Sequence, residues 1–191
     1  METQSIVVLD FGSQYSQLIA RRIRELNVFS AVLPCNASLD EIRSYSPVGI
    51  ILSGGPSSVY DKDAPVTDPG IFDLGLPVLG ICYGLQYMVF ALGGKVRPAD
   101  KREYGHAEVT IEACGSRLFE GLPKNLSVWM SHGDEAEQLP AGDHGATSSS
   151  RPCARNSAAE RMPSRCSVRL NCSVRISIAL STPGSPPAIS P

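Results

Sequence analysis

Short apolar runs, separated by polar turns rich in glycine, organise the first two-thirds of the chain. Residues 5–9 form one such run and predict a strand covered on both faces. Asp10-Phe11-Gly12-Ser13 then turns the chain. Leu18, Ile19, Ile23 and Leu26 recur at helical spacing, with Arg21, Arg22 and Arg24 facing outward. Residues 29–33 predict a second strand. Ser38 and Glu41 stand at capping-box spacing and open a short helix that ends near Tyr45. A third strand, residues 49–52, runs into Ser53-Gly54-Gly55-Pro56. A fourth, residues 77–81, is followed at once by Cys82 and a helix through Leu92, which Gly93-Gly94 stops. Alternating strands and helices predict an α/β fold, a mostly parallel sheet with helices on both faces. Past Gly94 the pattern becomes β-like at residues 95–97, 106–111 and 127–130, which read as later or edge strands.

The periodic part spans residues 1–141. Residues 142–191 differ in kind: no aromatic follows Trp129, no lysine follows Lys124, and Ser, Arg, Pro, Ala and Cys dominate. Residues 168–170 and 174–176 alternate too briefly to support a core. This composition reads as a loop or a disordered tail.

At 191 residues the chain suits one domain with one substantial core. A formal net charge of -2 gives no basic footprint for nucleic acid. Residues 76–92 are apolar but hold Gln86, two tyrosines and a glycine-flanked cysteine, and fall short of the roughly 20 residues a membrane span needs. A buried strand and helix is the better reading, so no membrane association is expected. The amino terminus lacks the pattern of a signal peptide. The 6 cysteines include no Cys-x-x-Cys pair and read as reduced thiols, which sets a cytoplasmic expectation.

Candidate chemistry centres on Gly80-Ile81-Cys82-Tyr83-Gly84. A nucleophile elbow needs a sharp strand-to-helix turn whose neighbours lack side chains, which Gly80 and Gly84 supply. The helix that follows favours negative charge at its start and so favours thiolate. The competing reading is a buried cysteine acting as a small hydrophobe. Cys35 and Cys114 read as structural. Ser53-Gly54-Gly55-Pro56 ends a neighbouring strand, and strand ends of an open parallel sheet converge on one crevice. The N–H groups of Gly55 and Tyr83 therefore form a candidate oxyanion hole for an adduct at Cys82; an ordinary Gly-Pro turn is the alternative.

Four segments carry a resemblance: Asp10-Phe11-Gly12-Ser13-Gln14-Tyr15, Ile51-Leu52-Ser53-Gly54-Gly55-Pro56, Gly80-Ile81-Cys82-Tyr83-Gly84-Leu85-Gln86 and Trp129-Met130-Ser131-His132-Gly133-Asp134. In order and spacing they resemble the class I glutamine amidotransferases, specifically the domain that serves GMP synthesis. The resemblance implies a flavodoxin-like fold with late antiparallel strands. It also implies attack by Cys82 on the glutamine side-chain amide, releasing ammonia and leaving a glutamyl thioester. Gly55 and Tyr83 would hold the oxyanion, and Gln86, Ser131, His132 and Asp134 would lie near the glutamine pocket or the face toward a synthetase. His132 is expected to organise that pocket through hydrogen bonds; His106 and His144 read as surface residues. The partner implied is an ATP-pyrophosphatase (synthetase) domain or subunit that aminates XMP. ATP and magnesium belong to that unit, and this chain is expected to hold no cofactor and no metal.

The sequence departs from the family after about residue 142. The family's base sits in a late Phe-His-Pro-Glu motif, and this chain has no His-Pro-Glu. Its closing strands are expected to be missing too, and the tail reads either as out of frame or as a genuine alternative end. Loss of a general base costs about 10²–10⁴ in rate, so the chain is expected to be impaired. Two other readings stay open: a silent glutamine-binding or docking module, and a different cysteine hydrolase with the same elbow.

Overall fold

The computed structural model describes residues 4–111, 121–138, 140 and 168–170. Four strands form one parallel sheet: β1 (Ser5–Asp10), β2 (Phe29–Pro34), β3 (Pro47–Leu52) and β4 (Val78–Gly80), in the order β2-β1-β3-β4. Three helices accompany it: α1 (Ser16–Glu25), α2 (Leu39–Ser44) and α3 (Tyr83–Ala91). A 3-10 turn, Pro69–Leu74, precedes β4 and has no counterpart in the sequence reading. It starts where Asp68 accepts a hydrogen bond from the Gly70 N–H and ends at Gly75 in the left-handed region. This is side-chain turn chemistry that apolar periodicity does not reveal.

The predicted strands form because their apolar runs are buried from both sides. Val7, Val8, Leu9, Ile50 and Leu52 are fully or almost fully buried, each worth roughly 1.5–3 kcal/mol of transfer free energy. Ser38 caps α2 as expected, its hydroxyl accepting from the Glu41 N–H at 3.2 Å.

The inner face of α1 differs from expectation. Ser16 and Ala20 are the buried residues, while Leu18 and Leu26 are exposed. The reason is close approach: the Ser30 hydroxyl of β2 donates to the Ala20 carbonyl at 2.8 Å, and the Ser16 hydroxyl donates to Asp10 Oδ1 at 2.7 Å. Only small side chains fit against the strands at that distance. Leu18, two positions from Ser16, points to the opposite side of the helix.

The later β-like runs belong to two long antiparallel strands, β5 (Lys95–Ile111) and β6 (Asn125–Gln138). A backbone ladder does not need apolar side chains, so pairing continues through polar stretches where the sequence pattern is silent. Val168–Leu170 also pairs, as β7, with Val109–Ile111, although three residues were too few to predict a strand. The rest of the 142–191 segment, with His144 in it, lies outside the described residues, as does Cys114. Val96 of β5 and Ala136 of β6 are buried in the core of the parallel sheet and join the two sheets.

Candidate active site

The register fixes where the site must lie. Leu9 pairs with Leu52, and Leu52 pairs with Gly80. The next residues of β1, β3 and β4 therefore leave the sheet side by side along one edge. Hydrogen bonds lock these exits together: Ser53 N–H to the Leu9 carbonyl at 3.0 Å, Ile81 N–H to the Leu52 carbonyl at 3.0 Å, and Phe11 N–H to the buried Ser53 hydroxyl at 3.1 Å. The chain runs from β1 to β2 on one side and returns to β3 on the other. That reversal opens a crevice beyond the carboxyl ends of the strands.

Cys82 stands at this edge, one residue before α3, with φ 48° and ψ −113°. A positive φ at a non-glycine residue is costly, on the order of 1–3 kcal/mol, and persists only where surrounding structure imposes it. Three contacts impose it here. An added Cβ at Gly80 would lie 2.5 Å from Leu85 Cα, one at Gly84 would press on the Leu52 carbonyl, and the Gly84 N–H donates to the Ser53 carbonyl at 3.0 Å. Gly80 and Gly84 thus leave no room for a side chain against α3 and β3.

The turn after β3 closes on the cysteine. An added Cβ at Gly54 would lie 3.6 Å from Cys82 Cβ and 3.6 Å from Ser13 Oγ, so these three residues share one wall. At Gly55 an added Cβ would lie 2.5 Å from the Phe11 carbonyl oxygen, so no side chain fits there. Among the described residues, neither the Gly55 N–H nor the Tyr83 N–H donates a hydrogen bond. Tyr83 is the first residue of α3, where helical N–H groups have no partner within the helix.

Cys82 is exposed, so its thiol is open to reagents. Protein mass around the crevice nonetheless desolvates the sulfur and pushes its pKa up. This opposes the lowering expected from the helix start, and no charged group among the described residues counters it; surface access governs contact with a substrate, while the surrounding mass governs the cost of charge. Burial likewise pushes the Tyr83 phenol up to about 12.

The remaining sequence candidates divide. Gln86 is buried in α3, and its side-chain amide donates to the Asp134 backbone carbonyl at 2.7 Å. It thus ties the elbow helix to β6. Asp134 Oδ2 is buried and finds no hydrogen-bond partner among the described residues. Ser131 and His132 lie on β6 opposite Tyr104 and Glu103; their side chains fall outside the described part of the structure. His106 is exposed, with Nδ1 3.5 Å from the Ser127 hydroxyl. No group of three or more metal-ligating side chains occurs among the described residues, and no described helix is long and apolar enough to cross a membrane.

A family model described as glutamine amidotransferase class-I matches residues 7–163. The chain belongs to that family. Among curated relatives of this amidotransferase chain, the GMP synthase [glutamine-hydrolyzing] of Lactobacillus acidophilus is 55% identical over 148 residues, covering 78% of this chain and 28% of the relative. That of Campylobacter lari is 57% identical over 142 residues, covering 74% and 28%. The chain therefore spans between a quarter and a third of these relatives' length. Among solved structures, a protein from Thermoplasma acidophilum, assigned as one chain of a GMP synthase, aligns with TM-score 0.64 at 27% identity, over 89% of this chain and 84% of the other. A Thermotoga maritima glutamine amidotransferase aligns with TM-score 0.55 at 20% identity, covering 90% and 76%, and shares the fold.

Sequence reasoning about this amidotransferase missed Ser13 and Gly54 beside Cys82, and the Phe11 carbonyl that leaves no room for a side chain at Gly55. The signal was available in the strand order: if β1 and β3 are neighbours, their exits must face each other.

Proposed function

We propose that the chain is the glutamine-hydrolysing part of a GMP-forming system, with Cys82 as nucleophile and the N–H groups of Gly55 and Tyr83 as oxyanion donors. The observation that supports this most directly is an exposed cysteine on a strained strand-to-helix corner with the Gly54-Gly55 turn packed against it, where the Gly55 and Tyr83 N–H groups have no acceptor among the described residues. The Cys82 thiolate attacks the amide carbon of glutamine, and the carbonyl oxygen takes the charge. Two backbone N–H donors at the carbonyl oxygen stabilise that charge more than they stabilise the starting carbonyl. Collapse breaks the carbon–nitrogen bond; the leaving nitrogen takes a proton and departs as ammonia. Water then cleaves the glutamyl thioester to glutamate and restores the thiol. Gln86, Ser131, His132 and Asp134 shape the glutamine pocket or the face toward the synthetase, Gln86 by fixing the Asp134 backbone. The ammonia serves an ATP-dependent synthetase unit that aminates XMP.

The sequence holds no His-Pro-Glu, and the Cys82 pKa is raised. Turnover by this chain is therefore slow; the proposed amidotransferase domain of residues 1–141 is followed by a Ser/Arg/Pro-rich segment that departs from the family motif, although the family match runs on to residue 163 and Val168–Leu170 pairs with β5. The same absence favours the second reading, a module that binds glutamine and docks on a synthetase without turnover.

A chloroketone analogue of glutamine tests the assignment. Labelling should be saturable, map to Cys82, slow in the presence of glutamine and vanish in Cys82→Ala. Unsaturable labelling that glutamine does not slow, as expected of any exposed thiol, refutes the glutamine site. Saturable labelling with no glutamate release selects the second reading.

A further inference from the structure

The segment between Ser53 and Asp68, which contains the Gly54-Gly55 turn, has no helix or strand to hold it. Its closing end is held by side chains of the elbow helix instead. The Tyr83 hydroxyl donates to the Pro65 carbonyl at 2.6 Å, and one helical turn later the Tyr87 hydroxyl donates to the Thr67 carbonyl at 2.5 Å. A third phenol, Tyr60 within the segment, donates to the Val96 carbonyl at 2.6 Å. The rings of Tyr83 and Tyr87 also grip Phe11, with centroids at 5.4 and 5.7 Å. Phe11 in turn presents the carbonyl oxygen against which Gly55 rests.

We propose that Tyr83 and Tyr87 are positioning residues for the reaction at Cys82: their phenols strap the far end of the 53–68 segment to α3 and so keep the Gly54-Gly55 turn in place beside the thiol. Tyr83 then serves twice, its backbone N–H at the oxyanion and its side chain in the strap. The spacing follows from helix geometry, since residues four apart share a face. Their carbonyl partners, Pro65 and Thr67, sit two residues apart, so the two phenols hold one short stretch of backbone. Both side chains are buried, and burial pushes both phenols up in pKa, so they remain protonated donors throughout the neutral range. This role rests on the glutamine reading of the Cys82 site.

The test is the Tyr83→Phe/Tyr87→Phe double variant, which keeps both rings against Phe11 and removes both hydroxyls. Chloroketone labelling at saturation should slow by about tenfold, from loss of two buried hydrogen bonds. The half-saturating concentration should change less, and iodoacetamide, which needs no oxyanion hole, should react within about twofold of the parent rate. Hydrogen exchange should accelerate across residues 53–68 and stay unchanged in β1 and α1. An unchanged saturating rate overturns the proposal. So does parallel loss of both reagents' rates with a general rise in exchange, which marks a purely structural role. If the parent itself shows no saturable labelling, the glutamine reading fails and this role falls with it. Normal labelling of the parent beside an unaffected variant removes the strap alone.

Discussion

Gly84→Ala is the sharpest probe of how the elbow is built. In an ordinary helix this change stabilises by about 1 kcal/mol, because alanine restricts the unfolded chain and favours the helix. Here the new methyl would press on the Leu52 carbonyl oxygen and lie 2.6 Å from both Leu52 C and Leu52 Cβ. Real Cβ contacts stay beyond about 3 Å, and two of the opposing atoms are backbone of a central strand that cannot swing aside. Relief requires α3 to lift from β3 at its first turn, stretching the 3.0 Å bond from Gly84 N–H to the Ser53 carbonyl. Overpacking of this kind costs about 1–3 kcal/mol, and rigid backbone on one side places it near the upper end. The net loss should be about 2 kcal/mol, measured as a lower urea midpoint at unchanged slope. The same lift moves Cys82, so saturable chloroketone labelling should slow as well. Gly93→Ala is the control: its φ is +83° but nothing lies within 4 Å of an added Cβ. It should lose about 1 kcal/mol from backbone strain alone and label normally. A Gly84→Ala chain as stable as the parent would show that the strand-to-helix contact is loose and that the elbow argument is wrong.

The other expectations concern charge and strain. Because burial raises the Cys82 pKa, its iodoacetamide rate should still be climbing at a pH where that of free cysteine has levelled; a plateau at lower pH than free cysteine refutes the desolvation argument. The stability linkage has the same sign. The fold favours the neutral thiol and the neutral Tyr83 phenol, so their contribution is complete below the unfolded pKa values. For Tyr83 it is lost as pH rises from 10.0 toward about 12, which should appear as a falling urea midpoint in that window and a weaker fall in Tyr83→Phe. Cys82→Gly should unfold at higher urea than Cys82→Ala, by about 1 kcal/mol, because glycine alone accepts the φ of 48° freely; equal midpoints would mean the corner is unstrained. Chloroketone labelling and the double tyrosine variant, described above, complete the set.

The parallel sheet was legible because burial on both faces writes itself as uninterrupted apolar runs, and β1, β2 and β3 match those runs to within two residues. The inner face of α1 was not, because it is set by how near the helix sits to β2, and small residues such as Ser16 and Ala20 give no hydrophobic signal. The long hairpin was read only at its apolar stretches, since its register breaks after Pro98 and resumes at Glu103, where a backbone ladder needs no apolar pattern. At the candidate site, the glycines flanking Cys82 were legible because the tight strand-to-helix turn leaves no room for their side chains. The rings around Phe11 were not, for they meet only after β1, β3 and α3 have been brought to one edge by topology.

The left-handed corner at Cys82 carries one more implication. Were folding the sole criterion, residue 82 would be glycine, and a lineage with no use for a thiol could gain stability by a single substitution. A cysteine held on the unfavourable side of backbone space is a standing cost that structure alone never repays, and the proposed nucleophilic role would give that cost a return in reactivity.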